Sequence, residues 1–223
     1  MGPSRVSRIG FHKLTGMRPR NQAERRRQLA NAGRHVLLER GAVGMRVKDI
    51  AERAGITPSS VLYYYPRIDE LMVEVSREAM ERYAERRSRQ LRALDDPVRQ
   101  LRLAIHLGVP TGPDDDDSRL LYELDAFIGS SPAFRVLSSS FFDRQVLLYQ
   151  QLLESGAAQG VFRLGSDAES LARGLVAMED GLGLQVVVGH PGLDSAEAER
   201  ILLRHASAVT GSELEQVPLD GVG

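Results

Sequence analysis

A chain of 223 residues can hold one large or two modest domains with a buried core. The absence of cysteine excludes disulfides, thiolate zinc sites and cysteine nucleophiles; without an early apolar run or a membrane-length stretch, a soluble cytoplasmic protein is expected. The net charge of −1 conceals a split, because residues 1–92 carry 20 Lys+Arg against 10 Asp+Glu while the remainder carries 9 against 20, so the first part alone suits a polyanion.

Residues 1–20 hold five basic side chains and no acid, with glycines, prolines and no sustained period. They read as a disordered basic arm that either follows phosphates or simply solubilises the chain. From Asn21 to Arg40 the pattern is helical, with Leu29, Ala32, Gly33, Val36 and Leu37 on one stripe and Gly41 as the stop. The Arg25–Arg27 run circles the exposed side of its first turns.

Between Arg46 and Leu71 lies the stretch that organises the chain. Val47, Ile50, Ala51 and Ala54 share one face of a short helix, and Gly55 suits the left-handed residue that ends it. Thr57-Pro58 then supplies an N-cap and a first-turn proline, so a second helix begins at once. Two short helices joined this tightly cross steeply as a helix-turn-helix, and the second presents Thr57, Pro58, Ser59 and Ser60 outward. Small hydroxyl side chains permit close approach to a groove wall, and free N–H groups at a helix start suit a phosphate. Val61, Leu62 and Tyr65 face inward.

The sequence AGITPSSVLYYYP at 54–66, followed by DEL at 69–71, closely resembles the DNA-binding domain of TetR-type transcriptional regulators. The resemblance covers about residues 21–75, and the rest fits the family's helical second domain in length and pattern. It implies an all-α fold: a helix-turn-helix DNA-binding domain over 21–68, and a helical ligand-binding and dimerisation domain over 69–211 that begins with a linking helix, 69–92. Arg46 stands where the family usually has a Ser or Thr cap, which predicts weaker capping by about 1 kcal/mol. Leu62 and Ile68 replace a common tyrosine and lysine that meet phosphates in the family. Tyr63, Tyr64 and Arg67 are the local substitutes, and Arg46 and Lys48 complete the expected DNA-contacting set.

Asp69 opens the long helix, with Leu71, Met72, Val75, Ala79 and Tyr83 on one side and dense charge on the other. Pro97 begins a short apolar helix to Gly108, and VPTGPDDDD at 109–117 reads as a loop. Contiguous aspartates point in different directions, so a metal site there is a poor reading, and the histidines show no ligand spacing. Ser118 to Ile128 is helical. Ser131-Pro132 starts a long helix to Ala158 whose two apolar stripes imply burial on two sides. Capping boxes at Ser166–Glu169 and Asp194–Glu197 open the last two helices, and residues 212–223 read as a flexible tail. The resemblance implies a four-helix dimer interface built from late apolar helices, for which the helix from 132 and that from 166 or 195 are the candidates, and hence a homodimer reading a palindrome in double-stranded DNA.

The resemblance also implies a small-molecule effector among the middle helices. Taking Leu171, Leu175, Met178 and Leu182 as the buried stripe puts Glu179 at its edge and Asp180 nearly opposite. Glu123 and Asp125 flank an apolar face in the same way. These residues suggest that one or two of the acids Glu123, Asp125 and Glu179, with Phe127, Phe141, Tyr149 and Met178, receive a cationic or amine ligand by charge pairing and cation–π contact. The sequence AMEDGLGLQ is similar to the choline-sensing branch of the family. Alternatively these acids pair with Arg119, Arg135, Arg144 or Arg173, or sit in water; a hydrophobic neutral or an anionic effector is the alternative ligand class. No nucleotide loop, metal constellation or nucleophile motif marks an enzyme, and no cofactor is expected. A ligand-released repressor is the leading reading; a nonspecific architectural DNA binder is the alternative.

Overall fold

The computed structural model describes residues 19–219. The expected basic arm therefore lies almost wholly outside the described residues, as do the last four residues of the tail. The described residues form an all-helical fold: α1 (Pro19–Gly44), α2 (Val47–Arg53), α3 (Pro58–Tyr64), α4 (Ile68–Leu91), α5 (Pro97–Gly108), α6 (Asp116–Asp125), α7 (Pro132–Ala158), α8 (Ala168–Val187) and α9 (Ser195–Thr210). None of these helices is long and apolar enough to cross a membrane.

Two cores organise the helices. The first gathers Leu29, Val36 and Leu37 of α1, Ile50 of α2, Val61 of α3 and Leu71, Met72 and Val75 of α4. It is sealed by Leu120 and Leu124 of α6 and Phe134 of α7, so helices late in the chain complete the N-terminal core. The second core joins α5, α7, α8 and α9 through residues such as Leu101, Ile105, Tyr149, Leu153, Leu175 and Leu202. The long helix α4 contributes to both, with Leu91 reaching the second.

Local signals account for most boundaries. Gly41 leaves helical geometry at φ 66°, and the chain makes only a short further turn to Gly44. Asp96, Ser131 and Asp194 each accept a backbone N–H at the start of their helices, as side-chain capping requires. Two expectations need correction. The cap of α8 is Asp167 rather than Ser166: its carboxylate accepts the Ser170 N–H at 2.8 Å. An aspartate one residue closer to the helix reaches the free N–H, and Ser166 hydrogen-bonds only to Asp167.

The expected flexible tail is anchored at its start. Leu214 is fully buried in the second core, and the Ser212 hydroxyl donates to the Val161 carbonyl at 2.8 Å. The aspartate loop is likewise structural. Asp115 caps α6 by accepting from Ser118 N–H, Asp116 pairs with Arg119, and Asp117 lies 3.1 Å from Arg34.

Candidate functional site

The first candidate site is the surface built on α2 and α3. The turn between them follows the local signals: Gly55 adopts φ 65°, and Ile56 N–H donates to Ala51 carbonyl at 3.0 Å. Thr57 caps α3, its hydroxyl accepting Ser60 N–H at 3.2 Å. The same hydroxyl is 3.0 Å from Ser59 Oγ and 2.9 Å from Ser60 Oγ, so the three hydroxyl residues form a cross-bonded tip rather than a set of free groups. Arg46, Lys48, Thr57, Pro58, Ser59, Tyr63 and Arg67 are exposed, while Ser60 and Tyr64 are half-buried. Tyr63 stands 71% open and meets Tyr64 edge-on, whereas Tyr65 is buried as expected.

Arg46 makes no side-chain cap. Asp49 compensates by accepting the Arg46 N–H at 3.1 Å while holding Arg40 at 3.1 Å. Arg67 is tied to Asp69 through two hydrogen bonds, at 2.9 and 2.6 Å. Arg26 stacks on the Tyr65 ring at 4.1 Å and donates to the Tyr64 carbonyl, fastening α1 to the end of α3. Burial, first of all, pushes the Tyr65 hydroxyl up to about 12, so it stays neutral.

The second site is a cavity of about 280 Å³ between α4, α6, α7 and α8. Its walls are aromatic and acidic: Tyr83 from α4, Tyr122 and Asp125 from α6, Phe141 and Phe142 from α7, and Glu179 and Asp180 from α8. Met80, Leu121, Gln145 and Leu184 complete much of the remaining wall. Tyr83 and Phe141 meet edge-on with centroids 5.8 Å apart.

Behind this wall sits a buried polar network. The Arg87 guanidinium, 1% exposed, donates to both Glu179 oxygens at 3.0 and 2.8 Å, to Gln145 Oε1 at 2.7 Å and to the Ala104 carbonyl at 2.7 Å. It also donates to Tyr149 at 2.8 Å, and the Tyr149 and Tyr83 hydroxyls donate to Glu179. Burial alone would weaken the Arg87 charge, but Glu179 more than offsets it, and the guanidinium is held well above its usual range. The Tyr149 hydroxyl is pushed far up by burial and by the Glu179 charge. Gly108 makes room for the pair, since a Cβ there would stand 2.1 Å from Glu179 Oε2.

Asp180 behaves differently. Burial, then the Glu179 charge, then that of Asp125 push its carboxyl up to about 7, against a smaller opposing pull from Arg87. Asp125, at the cavity rim, is also shifted upward by burial.

Of the seven residues expected to meet an effector, the cavity brings together Asp125, Phe141 and Glu179. Tyr149 lies behind the wall as a support for Glu179. Three others are elsewhere. Glu123 turns away and accepts the Ala42 N–H at 2.9 Å, satisfying a backbone donor just after the break at Gly41. Phe127 stacks on Phe134 at 5.9 Å against the first core, and Met178 packs at the margin of the second.

The partner of Glu179 is none of the four arginines considered from the sequence, but Arg87. Asp180 does not lie opposite the buried face as expected. The buried face of α8 is Ala172, Leu175, Val176, Glu179, Gly183 and Val186, rotated from the expected stripe, so Glu179 is central and Asp180 reaches the wall. Tyr83 and Tyr122 were missed as wall residues. Tyr83 is legible only as a member of the apolar side of α4, and nothing in the sequence marks Tyr122.

A helix-turn-helix head joined to a helical body with an internal cavity defines a DNA-binding regulator of the ligand-receiving kind. Residues 29–75 match the family model "Bacterial regulatory proteins, tetR family", and residues 97–211, more than half the chain, match "BetI-type transcriptional repressor, C-terminal". The chain belongs to the TetR family of transcriptional regulators and carries a BetI-type C-terminal domain; it is a regulator, not an enzyme.

Among relatives, it is 22% identical over 187 residues to the transcriptional regulator PksA of Bacillus subtilis, covering 83% of this chain and 90% of that protein. It is 31% identical over 72 residues to RutR of Escherichia coli, covering 32% and 34%. A transcriptional regulator from Saccharomonospora viridis, crystallised in complex with choline, superposes with a TM-score of 0.74 at 27% identity, covering 81% of this chain and 94% of that one.

Proposed function

We propose that this regulator is a homodimeric repressor that binds a palindromic operator and is released by a small organic cation seated in the cavity between α4, α6, α7 and α8. The observation that carries the ligand class is the composition of the wall: four aromatic rings and three carboxylates with no basic side chain, the Arg87 guanidinium behind it being already committed to Glu179. Such a lining favours an ammonium group through ring faces and residual negative charge. The cavity's size suits a small molecule, and the choline bound by the Saccharomonospora viridis protein is of this class. A neutral hydrophobic or anionic effector would leave Asp125 and Asp180 without a partner.

Dimerisation through α7 and α8 is supported by Val136 and Leu147 on α7 and Leu184 on α8, all exposed large apolar side chains. A two-fold axis there sets two copies of α3 against successive major grooves, about 34 Å apart. Arg46, Lys48, Tyr63, Tyr64 and Arg67 supply phosphate contacts around the Thr57–Ser60 tip, and the protein acts in the cytoplasm, where its DNA lies.

Selection of a preferred sequence from a random DNA pool tests the reading, followed by titration of the selected site with choline. A palindromic winner released by choline at saturating concentration is the expected result. Lys48→Ala should weaken binding to all sequences alike and reduce the salt slope by about 1. No sequence preference would instead make this an architectural DNA binder, and an operator complex indifferent to cations would remove the ligand assignment.

A further inference from the structure

The three cavity carboxylates are not equivalent. Glu179 is saturated by Arg87, Tyr83 and Tyr149, so it has little left to offer a ligand. Asp125 lies at the rim, partly open to water although burial raises its carboxyl too. Asp180 is half-buried, lines the cavity, and its side chain has no hydrogen bond or ion pair among the described residues; only its backbone carbonyl is engaged, accepting from the Tyr122 hydroxyl at 3.2 Å.

The charged and titratable groups around Asp180 are few. From α4 come Arg87 and the Tyr83 hydroxyl; from α6, Asp125 and the Tyr122 hydroxyl; from α8 itself, Glu179. The parts of α5 and α7 in the wall are Gly108, Phe141, Phe142 and Gln145, none of which titrates. Arg87 is neutralised by Glu179, so Asp180 faces one further carboxylate with no cation of its own. A half-buried acid so placed favours its neutral form until a positive charge arrives.

We propose that Asp180 is the counter-ion of the bound cation and that it takes up this role by exchanging a proton for it. Before the cation enters, the Asp180 carboxyl holds its proton; as the cation seats among the rings of Tyr83, Tyr122 and Phe141, the O–H bond breaks, the proton leaves to solvent, and the carboxylate stays behind to pair with the cation. Charge in the cavity is thereby conserved. The inference rests on the reading of the cavity as a cation site, and it adds that effector affinity rises with pH through the neutral range. The upward shift of this carboxyl to about 7 agrees with the geometry.

The test uses tetramethylammonium and choline, which have no ammonium proton, so any proton released belongs to the protein. Isothermal titration of the full chain at pH 6 and pH 8, each in two buffers of different ionisation heat, counts protons directly. Expected are release of about 0.9 proton at pH 6 and a Kd about tenfold weaker at pH 6 than at pH 8, as linkage to a group titrating near neutrality requires. Asp180→Asn should bind more weakly and lose the pH dependence, whereas Asp125→Asn should keep it. Tight binding of either probe without proton release, or with a pH dependence surviving in Asp180→Asn, overturns the inference and leaves the cation site standing. Failure of both probes to bind at any pH overturns the cation site and this inference with it.

Discussion

Replacing Glu179 by Gln keeps the outline of the side chain, removes its charge and turns one of its two acceptor oxygens into an N–H donor among groups that themselves donate. The consequence is set by where that charge lies: Glu179 is 5% exposed and Arg87 1%, and four other groups converge on the same guanidinium. Arg87 cannot give up a proton at accessible pH, so the variant must keep an uncompensated cation in the second core or open that core to water. Breaking a buried pair from one side costs about 3–5 kcal/mol, whereas an exposed helical pair such as Arg173–Glu169 contributes about 0–1. Against a typical total of roughly 5–15 kcal/mol, such a loss is unmistakable.

Urea unfolding at fixed protein concentration measures it, with the slope of the transition checking that the denatured state is unchanged. Arg87→Met should cost a similar amount by stranding Glu179. The double variant should cost clearly less than the two losses added, because each single change includes the burial of an unpaired charge. A Glu179→Gln loss below about 1 kcal/mol, or strict additivity, would refute the assignment of Glu179 as the compensating charge of the core. The same reasoning bears on function: loss of effector response in Glu179→Gln would reflect a damaged wall, and Asp180 is the residue whose substitution isolates the ligand.

Two further substitutions separate neighbouring roles. Glu123→Ala removes the acceptor of the Ala42 N–H and should lower stability by about 1–3 kcal/mol in the same unfolding assay, while choline affinity stays unchanged because the side chain lies outside the cavity wall. Gly108→Ala places a Cβ 2.1 Å from Glu179 Oε2 and should destabilise by at least about 2 kcal/mol through the displaced carboxylate, whereas Gly174→Ala, with open space around it, should gain up to about 1 kcal/mol from helix propensity; thermal melting of the two variants side by side checks both signs.

The DNA-reading end was legible in the sequence because its signals are local. Gly55, Thr57-Pro58 and the spacing of Ile50, Ala51 and Val61 fix the turn and both short helices within about two turns of chain, and each sits where those signals put it. The cavity was legible only in part, because its decisive contacts join residues far apart in sequence. Arg87 and Glu179 are separated by 92 positions, and Arg87 sits among so many charges on α4 that nothing marks it as the buried one. Asp180 was set aside because a rotation of α8 by a fraction of a turn decides whether it faces the cavity, and an apolar pattern that includes Gly183 leaves that rotation loosely defined. Glu123 was misplaced for a related reason: flanking an apolar face places an acid near the interior, but its partner, a backbone N–H freed by the break at Gly41, belongs to another helix.

That misplaced acid shows how cavity and DNA-reading surface are joined. One side of α6 lines the cavity with Leu121, Tyr122 and Asp125. Its other side grips α1: Arg119 donates to the Leu38 carbonyl at 3.1 Å, Glu123 accepts from Ala42, and Leu120 and Leu124 are buried in the first core. The helix α4 has the same double attachment, with Leu71, Met72 and Val75 in the first core and Tyr83 in the cavity wall. By contrast, α8 contributes Glu179, Asp180 and Leu184 to the cavity and buries its apolar residues in the second core, with none in the first. The cavity thus lies where three helices with residues in the DNA-reading core, α4, α6 and α7, face one that has none there. On the proposed reading, a cation drawn between the rings of α4 and α6 and the carboxylates of α8 acts on that junction, and α6 and α4 pass any displacement to α1 without a further element. Couplings of about 1–3 kcal/mol suffice for roughly 5- to 150-fold changes in DNA affinity, which is within the scale of the few hydrogen bonds and side-chain contacts that α6 makes to α1.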